Sequence, residues 1–228
     1  RRSVQLHLGG HHLCERLPAQ TILKGGFVLR LLGCDRKTND IDIVLVPFAS
    51  KRAAAPLLHD ALESFPCTGM DSHIHPTAIR VRVREGDLVA QVEASIAETC
   101  PSIPLSTAPL AALHGELPRI VRVMRFDVAL ANKIGAWLER GLYRDLYDIH
   151  YWAGIQKTSP DRTTLDRRLA NLKPRKGLPG SCTMEQLAQR LEQAAQELDE
   201  SAIRQELTTT VSDTEFVGLV PRMKGGLT

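Results

Sequence analysis

The chain has 228 residues, of which 43% are hydrophobic and 24% charged, a composition typical of a globular protein that buries a core. Its formal net charge of +3 is too small to indicate nucleic-acid binding by itself. The five cysteines are scattered without a Cys-x-x-Cys pair, which argues against a disulfide framework or a zinc knuckle and favours a reducing cytoplasm. The apolar runs are far shorter than the ~18 residues of a membrane span, so we expect no membrane association.

The hydrophobic pattern of the first hundred residues changes between helical and strand periodicity. It predicts two short helices separated by a turn at Lys24-Gly25-Gly26, then a strand, a third helix and two strands joined by a turn. The predicted segments are helices at 3–17, 27–32 and 50–64, and strands at 40–46, 79–84 and 88–93. Residues 1–108 are therefore expected to form one α/β lobe.

After the proline-rich break at 101–109, the pattern becomes helical. Asp127 is placed to cap a helix that stops at Gly141, and residues 143–153 predict a shorter helix. A capping-box pattern at 183–186 opens a further helix with apolar residues as far as Ala202. Residues 109–228 are therefore expected to form a helical lobe, and the whole chain an α+β fold.

A basic segment separates these helices. Residues 156–182 carry seven Lys or Arg against two Asp, a net charge of +5, which leaves −2 for the rest of the chain. Such a segment is either a solvated loop or a surface that contacts phosphates. The second alternative involves the cations Arg167, Arg168, Lys173, Arg175 and Lys176.

Two acids stand at the start of the predicted strand at 40–46. Because strand side chains alternate, Asp40 and Asp42 point to the same side, where their carboxylates repel each other. A cation between them would relieve this repulsion. The alternative is an ordinary strand start whose acids face water.

Other residues near this strand fit a site for phosphoryl chemistry. Glu93 ends the strand at 88–93 and is the candidate third carboxylate, with an ordinary exposed acid as the alternative. Carboxylates that converge from different strands can hold the divalent ions that serve in-line attack on phosphorus. Gly25 and Gly26 precede a helix, where they would let a triphosphate approach backbone N–H groups.

The order of these features resembles the nucleotidyltransferases of the DNA polymerase β superfamily, in which Gly-[Gly/Ser] is followed by Asp-x-Asp and a later carboxylate. The narrower resemblance is to the AbiEii/AbiGii toxin family, including MenT-like toxins. It is carried by LKGG at 23–26, by Arg36, Thr38, Asp40 and Asp42 in alternate positions, by ANK at 131–133 and by YRDLYDIHYW at 143–152. The resemblance covers residues 20–153.

The resemblance implies a mixed-sheet nucleotidyltransferase lobe followed by the helical lobe, with Mg²⁺ (or Mn²⁺) held by Asp40, Asp42 and Glu93. Lys133 would hold the triphosphate, and Asp145 would serve the active site; the alternative for Lys133 is a surface lysine. The implied catalytic set is Asp40, Asp42, Glu93, Lys133 and Asp145. The implied phosphate-binding set is Lys24, Gly25, Gly26, Arg36, Thr38 and Lys133.

The resemblance further implies transfer of a nucleotide from an NTP to an RNA acceptor, such as the tRNA 3′ end, with toxicity controlled by a cognate antitoxin protein. Two positions depart from the family pattern: Phe27 stands where the family usually has Thr, and Thr38 where it more often has Ser. Phe27 removes a hydroxyl and adds a bulky ring near the phosphate cradle. Two alternatives stay open: the same chemistry on a small molecule such as an antibiotic, or a catalytically silent module that binds a nucleotide or a protein.

Overall fold

The chain divides into two compact units, Arg1–Met124 and Arg125–Thr228. The structure, a computed structural model, describes residues 10–38, 40–173, 180–207 and 211–227. The first unit continues past the expected end of the α/β lobe at residue 108, because the strand Ile120–Met124 pairs with the strand Thr21–Lys24 of the same sheet. Within the described ranges, no helix has the length and apolar character needed to cross a membrane.

The framework of the first unit is a mixed β-sheet. The described strands are β1 (Thr21–Lys24), β2 (Asp40–Leu45), β3 (Gly69–Ile74), β4 (Ile79–Glu85), β5 (Leu88–Ile96), β6 (Ser102–Ser106) and β7 (Ile120–Met124). They form a seven-stranded sheet in the order β3-β4-β5-β2-β1-β7-β6. β2 is parallel to β5 and β1 to β7, and the remaining neighbours are antiparallel. This mixed sheet, together with the helices, confirms the α+β fold class.

The helices of the first unit largely follow the sequence pattern. The described ones are α1 (residues 10–16), α2 (Gly25–Leu31), α3 (Lys51–Glu63) and α4 (Ala108–His114). Ser50 caps α3 by accepting a hydrogen bond from the backbone N–H of Ala53 at 3.2 Å, and α3 buries Leu58 and Leu62. Of the helix predicted over 3–17, the part before residue 10 lies outside the described residues.

The sequence pattern did not indicate β3, β6 or β7. β3 and β6 are the two edge strands of the sheet, and their residues are exposed or half-buried, so they lack the apolar alternation of an inner strand. β7 is paired on both sides, with β1 and β6. Its position was missed because pairing with β1, far earlier in the chain, is not visible in a local pattern.

The second unit is helical. The described helices are α5 (Phe126–Arg140), α6 (Tyr143–His150), α7 (Arg162–Ala170), α8 (Met184–Gln196), α9 (Glu200–Leu207), α10 (Asp213–Phe216) and α11 (Leu219–Leu227), with one π-helical turn at Tyr151–Ile155. Gly141 ends α5 in the left-handed conformation at φ 66°, as expected. The expected cap at Asp127 is wrong by two residues, because α5 begins at Phe126 and Arg125 is its N-cap. Asp127 lies in the first turn, where its side chain accepts a hydrogen bond from the backbone N–H of Val128 at 2.8 Å.

The basic segment 156–182 is not a continuous loop. It contains α7, which packs against α5 and buries Leu165 and Leu169, so the loop prediction is wrong for this part. The pattern was obscured by the charged residues that cover the outer face of the helix. Residues 174–179, which include Arg175 and Lys176, lie outside the described residues.

The capping box that opens α8 is confirmed. Thr183 accepts a hydrogen bond from the backbone N–H of Gln186 at 3.1 Å, and the Gln186 side chain accepts one from the backbone N–H of Thr183 at 2.9 Å. The expected helix is too long, however, since α8 ends at Gln196 and a separate helix, α9, begins at Glu200. A periodic apolar pattern continues across this break, which is why the sequence predicts a single helix.

His150, at the end of α6, is a buried titratable side chain. Only 5% of its surface is exposed, and neither ring nitrogen has a hydrogen-bond partner among the described residues. The ring lies against Gly154 and Gly226, so closely that a Cβ at position 154 would be 3.0 Å from Nδ1. Burial lowers the pKa of His150 from 6.5 to about 4, and the positive charges of Arg222 and Lys157 act in the same direction.

We expect the unfolding free energy to fall as the pH drops from 6.5 toward 4, because the unfolded chain then binds a proton that the folded chain excludes. Above pH 6.5 this contribution is fully present. Urea unfolding at about pH 7 and about pH 4.5 should show that a His150→Leu variant loses less stability than the parent, by on the order of 2 kcal/mol. A His59→Leu variant, at an exposed histidine, should retain the parental pH dependence; the same dependence in the His150 variant would contradict the assignment.

Candidate active site

Asp40 and Asp42 begin β2 and lie on one face of the sheet. The residues that alternate with them, Ile41 and Ile43, are fully buried, whereas both aspartates are half-buried. The shared face expected from strand alternation is therefore confirmed. Thr38 Oγ1 donates to the backbone carbonyl oxygen of Asp40 at 3.2 Å, which ties the preceding segment to the start of the strand.

A row of charged residues crosses four strands at the level of Asp42. Asp42 is in register with Lys24 of β1 on one side and with Glu93 of β5 on the other. Glu93 is in turn in register with Arg80 of β4, whose Nε lies 3.1 Å from Glu93 Oε2. Neighbouring strands are roughly 5 Å apart, so the side chains of Asp42 and Glu93 are adjacent on one face, with a cation on either side.

Gly25 lies directly against the Asp42 side chain. Its backbone has φ +68°, which favours glycine, and a Cβ built there would collide with the Asp42 carboxylate. The turn between β1 and α2 therefore approaches the carboxylate as closely as a backbone can. Two independent constraints, conformation and space, require glycine at this position.

Gly26 holds a second close contact, with the cationic and hydroxyl residues predicted to bind phosphate. A Cβ there would lie 2.7 Å from Arg36 Nη2 and 3.1 Å from Thr38 Oγ1. Arg36 is only 8% exposed, so its guanidinium is fixed beside the glycine turn. The structure thus brings together Gly25, Gly26, Arg36, Thr38 and Asp42, as the sequence indicated.

Phe27 does not enter this cradle. Its side chain is 2% exposed, and a Cβ on Gly10 of α1 would be 2.9 Å from its ring. The ring is therefore part of the core between α1 and α2. The departure from the family pattern removes a hydroxyl, but the added bulk is accommodated in the protein interior.

The predicted metal ligands fit a divalent cation in donor type. Asp40, Asp42 and Glu93 offer carboxylate oxygens, which Mg²⁺ and Mn²⁺ prefer, and all three lie on one face of two adjacent strands. They do not form a group whose oxygens all lie within 4.8 Å of one another. In the described chain, the group with that spacing is His59, Asp60 and Glu63, on the solvent-facing side of α3. The ion pair with Arg80 gives a physical reason, because it holds Glu93 Oε2 toward β4.

The second unit contains a buried ion-pair network that includes Lys133. Lys133 Nζ on α5 lies 2.7 Å from Asp148 Oδ2 and 3.3 Å from Asp145 Oδ1 of α6. Arg140 binds both Asp145 oxygens, with Nε at 3.0 Å and Nη2 at 2.8 Å. The two carboxylates are at most 1% exposed, whereas the Lys133 side chain is 17% exposed, so Lys133 is neither a free surface lysine nor fully buried.

Two residues of these arrangements were missed by the sequence analysis. Arg80 pairs with Glu93, and Arg140 forms the bidentate pair with Asp145. The register of the hairpin between β4 and β5 would have placed Arg80 opposite Glu93. The sequence feature that could have indicated Arg140 is its position five residues before Asp145, with Gly141 ending the helix between them.

The cations of the basic segment are partly used within the protein. Arg168 Nη2 lies 3.0 Å from Glu139 Oε1, and Arg168 also packs against Gly135 of α5. Arg162 pairs with Asp166 one helical turn away at 2.9 Å. A phosphate-binding role for the described part of 156–182 would therefore have to compete with these pairs.

The chain is similar to known proteins in sequence family and in fold. A family described as "Nucleotidyl transferase AbiEii toxin, Type IV TA system" matches residues 13–221. The chain is similar to MenT4, a nucleotidyltransferase toxin from Mycobacterium tuberculosis H37Rv, with a TM-score of 0.58 and 18% identity over 98% of this chain and 81% of that chain. It is also similar to JHP933 from Helicobacter pylori, with a TM-score of 0.55 and 17% identity over 100% of this chain and 92% of that chain. No curated protein sequence matches it significantly.

Proposed function

This chain belongs to the AbiEii family of nucleotidyltransferase toxins, and we propose that it transfers a nucleoside monophosphate from an NTP to a hydroxyl group of RNA. The proposed acceptor is the tRNA 3′ end, and the proposed controlling partner is a cognate antitoxin protein. We place the reaction in the cytoplasm, because all five cysteines are free, as is typical of a reducing compartment.

The observation that carries the proposal is the position of Asp42. Its carboxylate lies against the turn of Gly25, beside Glu93 in the sheet and in register with Lys24. Transfer of a charged phosphoryl group requires both acids and cations close to a glycine turn. The cations bind the triphosphate, and an acid accepts the proton of the acceptor hydroxyl.

We assign the metal-binding role to Asp40, Asp42 and Glu93. A divalent ion bound there would neutralise phosphate charge and make the acceptor hydroxyl more acidic. For Glu93 to take part, its ion pair with Arg80 has to loosen, so that the carboxylate can turn toward Asp42. Arg80 then keeps Glu93 in place between reaction cycles.

The remaining residues bind and orient the substrate. The turn at Gly25 and Gly26, with Lys24, Arg36 and Thr38, is proposed to hold the triphosphate, and one carboxylate accepts the proton as the acceptor oxygen attacks the α-phosphorus. The bond from the α-phosphorus to the leaving pyrophosphate breaks in the same step. Lys133 is proposed to stabilise the charge on that leaving group, a role that rests on the ANK and RDLYD motifs. Asp145 and Asp148 position its ammonium.

The direct test is to incubate the purified protein with each α-labelled NTP in turn, with Mg²⁺ and total RNA. Label that becomes attached to RNA of tRNA size, for at least one NTP, is the expected result. Label attached only to a small molecule added in place of RNA would identify a small-molecule enzyme. Nucleotide binding without transfer to either acceptor would identify a silent binding module.

A pair of glycine variants tests the contact at Asp42. Gly25 and Gly33 both have positive φ, +68° and +88°, but only Gly25 has a neighbour within 4 Å of an added Cβ. Alanine at either position should cost on the order of 1–2 kcal/mol of stability from backbone strain. Only Gly25→Ala should also reduce nucleotide transfer strongly, because it displaces the Asp42 carboxylate. Urea unfolding and transfer assays on both variants would decide, and equal activity would remove Gly25 from the site.

A further inference from the structure

Strand β4 carries an arginine at every second position. The apolar residues that alternate with them are at most 5% exposed, whereas Arg82 and Arg84 are exposed and Arg80 is half-buried. Because alternate residues of a strand share a face, the three guanidinium side chains stand in one line. We call this line of Arg80, Arg82 and Arg84 the arginine strip.

The arginine strip lies on the face of the sheet that carries the catalytic carboxylates. Arg80 is in register with Glu93, which is in register with Asp42. One step along the strands, Arg82 is in register with Gln91, which is in register with Asp40. The strip therefore begins two strands, or roughly 10 Å, from Asp42 and leads away from it along β4.

Among the residues that the structure describes, neither Arg82 nor Arg84 forms an ion pair. Arg82 Nε donates to the neutral Gln91 Oε1 at 3.3 Å, which orients the guanidinium without neutralising it. The acid that faces Arg82 across the sheet is Asp71 of β3, whose Oδ2 lies 3.2 Å from His73 Nε2. Asp71 of β3 and Glu93 of β5 are the acids in register with the strip, so two acids on the neighbouring strands face three arginines.

We propose that Arg82 and Arg84 bind backbone phosphates of the acceptor strand and direct its terminal hydroxyl toward Asp42. This inference rests on the proposed function, since it presupposes a nucleic-acid acceptor. A guanidinium group matches a phosphate with two parallel hydrogen bonds, and a line of them on an open strand matches a polyanionic chain. A small acceptor would need no cations at that distance from the carboxylates.

The competing surface is α7 within the segment 156–182. It also exposes two arginines, Arg162 and Arg167, and so provides a matched control. The variants to compare are Arg82→Gln with Arg84→Gln on β4, and Arg162→Gln with Arg167→Gln on α7. Each removes two surface charges, and none of the four residues belongs to the carboxylate or triphosphate sets.

The experiment is a titration of labelled tRNA with parent and both variants at three salt concentrations, followed by transfer kinetics. We expect the β4 variant to bind tRNA roughly tenfold or more weakly, with the log–log salt slope reduced by about 0.7–0.9 for each lost contact. Its KM for tRNA should rise while kcat at saturating tRNA stays parental, and the α7 variant should keep the parental slope.

An unchanged slope in the β4 variant, or equal losses in the β4 and α7 variants, would overturn the proposal while leaving the transfer reaction intact. If the parent neither binds tRNA nor labels it, tRNA is not the acceptor. The proposed function is then wrong about its acceptor, and the proposal for the arginine strip is wrong as well. A kcat effect with an unchanged KM for tRNA would show that the strip acts on chemistry and not on acceptor binding, which also overturns the proposal.

Discussion

An Asp42→Asn variant is expected to lose roughly a thousandfold in nucleotide transfer while remaining folded, as for removal of a preorganised electrostatic group. Asp42 touches the glycine turn and stands next to Glu93, so the substitution removes negative charge at the point where substrate phosphates and a divalent ion are proposed to meet. Its neutral amide is close in size to the carboxylate, and the strand around it is unchanged. Transfer assays with Mg²⁺, combined with thermal unfolding, measure both parts of this expectation.

Asp60→Asn is the matched control for Asp42→Asn. Asp60 belongs to the exposed group of His59, Asp60 and Glu63 on α3, which has the closer ligand spacing in the described chain. Exposed acidic groups of this kind are common on protein surfaces, and we expect the Asp60 variant to retain parental activity. If the Asp60 variant lost activity and the Asp42 variant kept it, the catalytic metal would have to be placed on α3.

The second large effect is expected at Lys133. Lys133→Ala removes a cation that pairs with Asp148 and Asp145, two carboxylates that are at most 1% exposed, and Asp145 then has Arg140 as its remaining cation. Breaking a buried ion pair in this way costs about 3–5 kcal/mol of stability. The same variant should also lose transfer activity, because the proposed phosphate-directed ammonium is gone. Lys157→Ala, at an exposed position, should change neither the stability nor the NTP kinetics.

A double variant separates the two effects of Lys133. In Lys133→Met with Asp148→Asn, the pair with the 2.7 Å contact is replaced by uncharged groups, while Asp145 keeps its bidentate partner Arg140. Stability should largely return, since neutral replacement of a buried pair is far less costly than breaking it. Activity should stay low. Full recovery of NTP use by the double variant would show that Lys133 is structural only.

The site in the first unit could be predicted from sequence because its residues lie in short local patterns. The β-branched residues at 40–46 predict a strand, and alternation along that strand then places Asp40 and Asp42 on one face. The double glycine marks the turn before α2, where both close approaches occur. The resemblance to a known family connected these patterns, which composition alone would have left as separate features.

Other parts could not be predicted because they depend on pairing between distant segments. β7 carries a local alternation, but its place between β1 and β6 follows only from the assembled sheet. The pairing of Glu93 with Arg80 and of Lys133 with Asp148 requires knowledge of register and of helix packing. The helical character of α7 was concealed by charges, which a local pattern counts as loop residues.

The register of β5 against β2 has a consequence for how the chain can change in length during evolution. Side chains along β5 alternate between the two faces of the sheet, so the number of strand residues before Glu93 decides on which face it lies. In the observed register, Glu93 lies on the same face as Asp42 and next to it. One residue inserted within β5 ahead of Glu93 would turn that glutamate toward the buried face and bring Val92 to the open one. The same insertion at Gly86, in the turn between β4 and β5, leaves the count within the strand unaltered. Length variation should therefore be tolerated at this turn and eliminated within the strand.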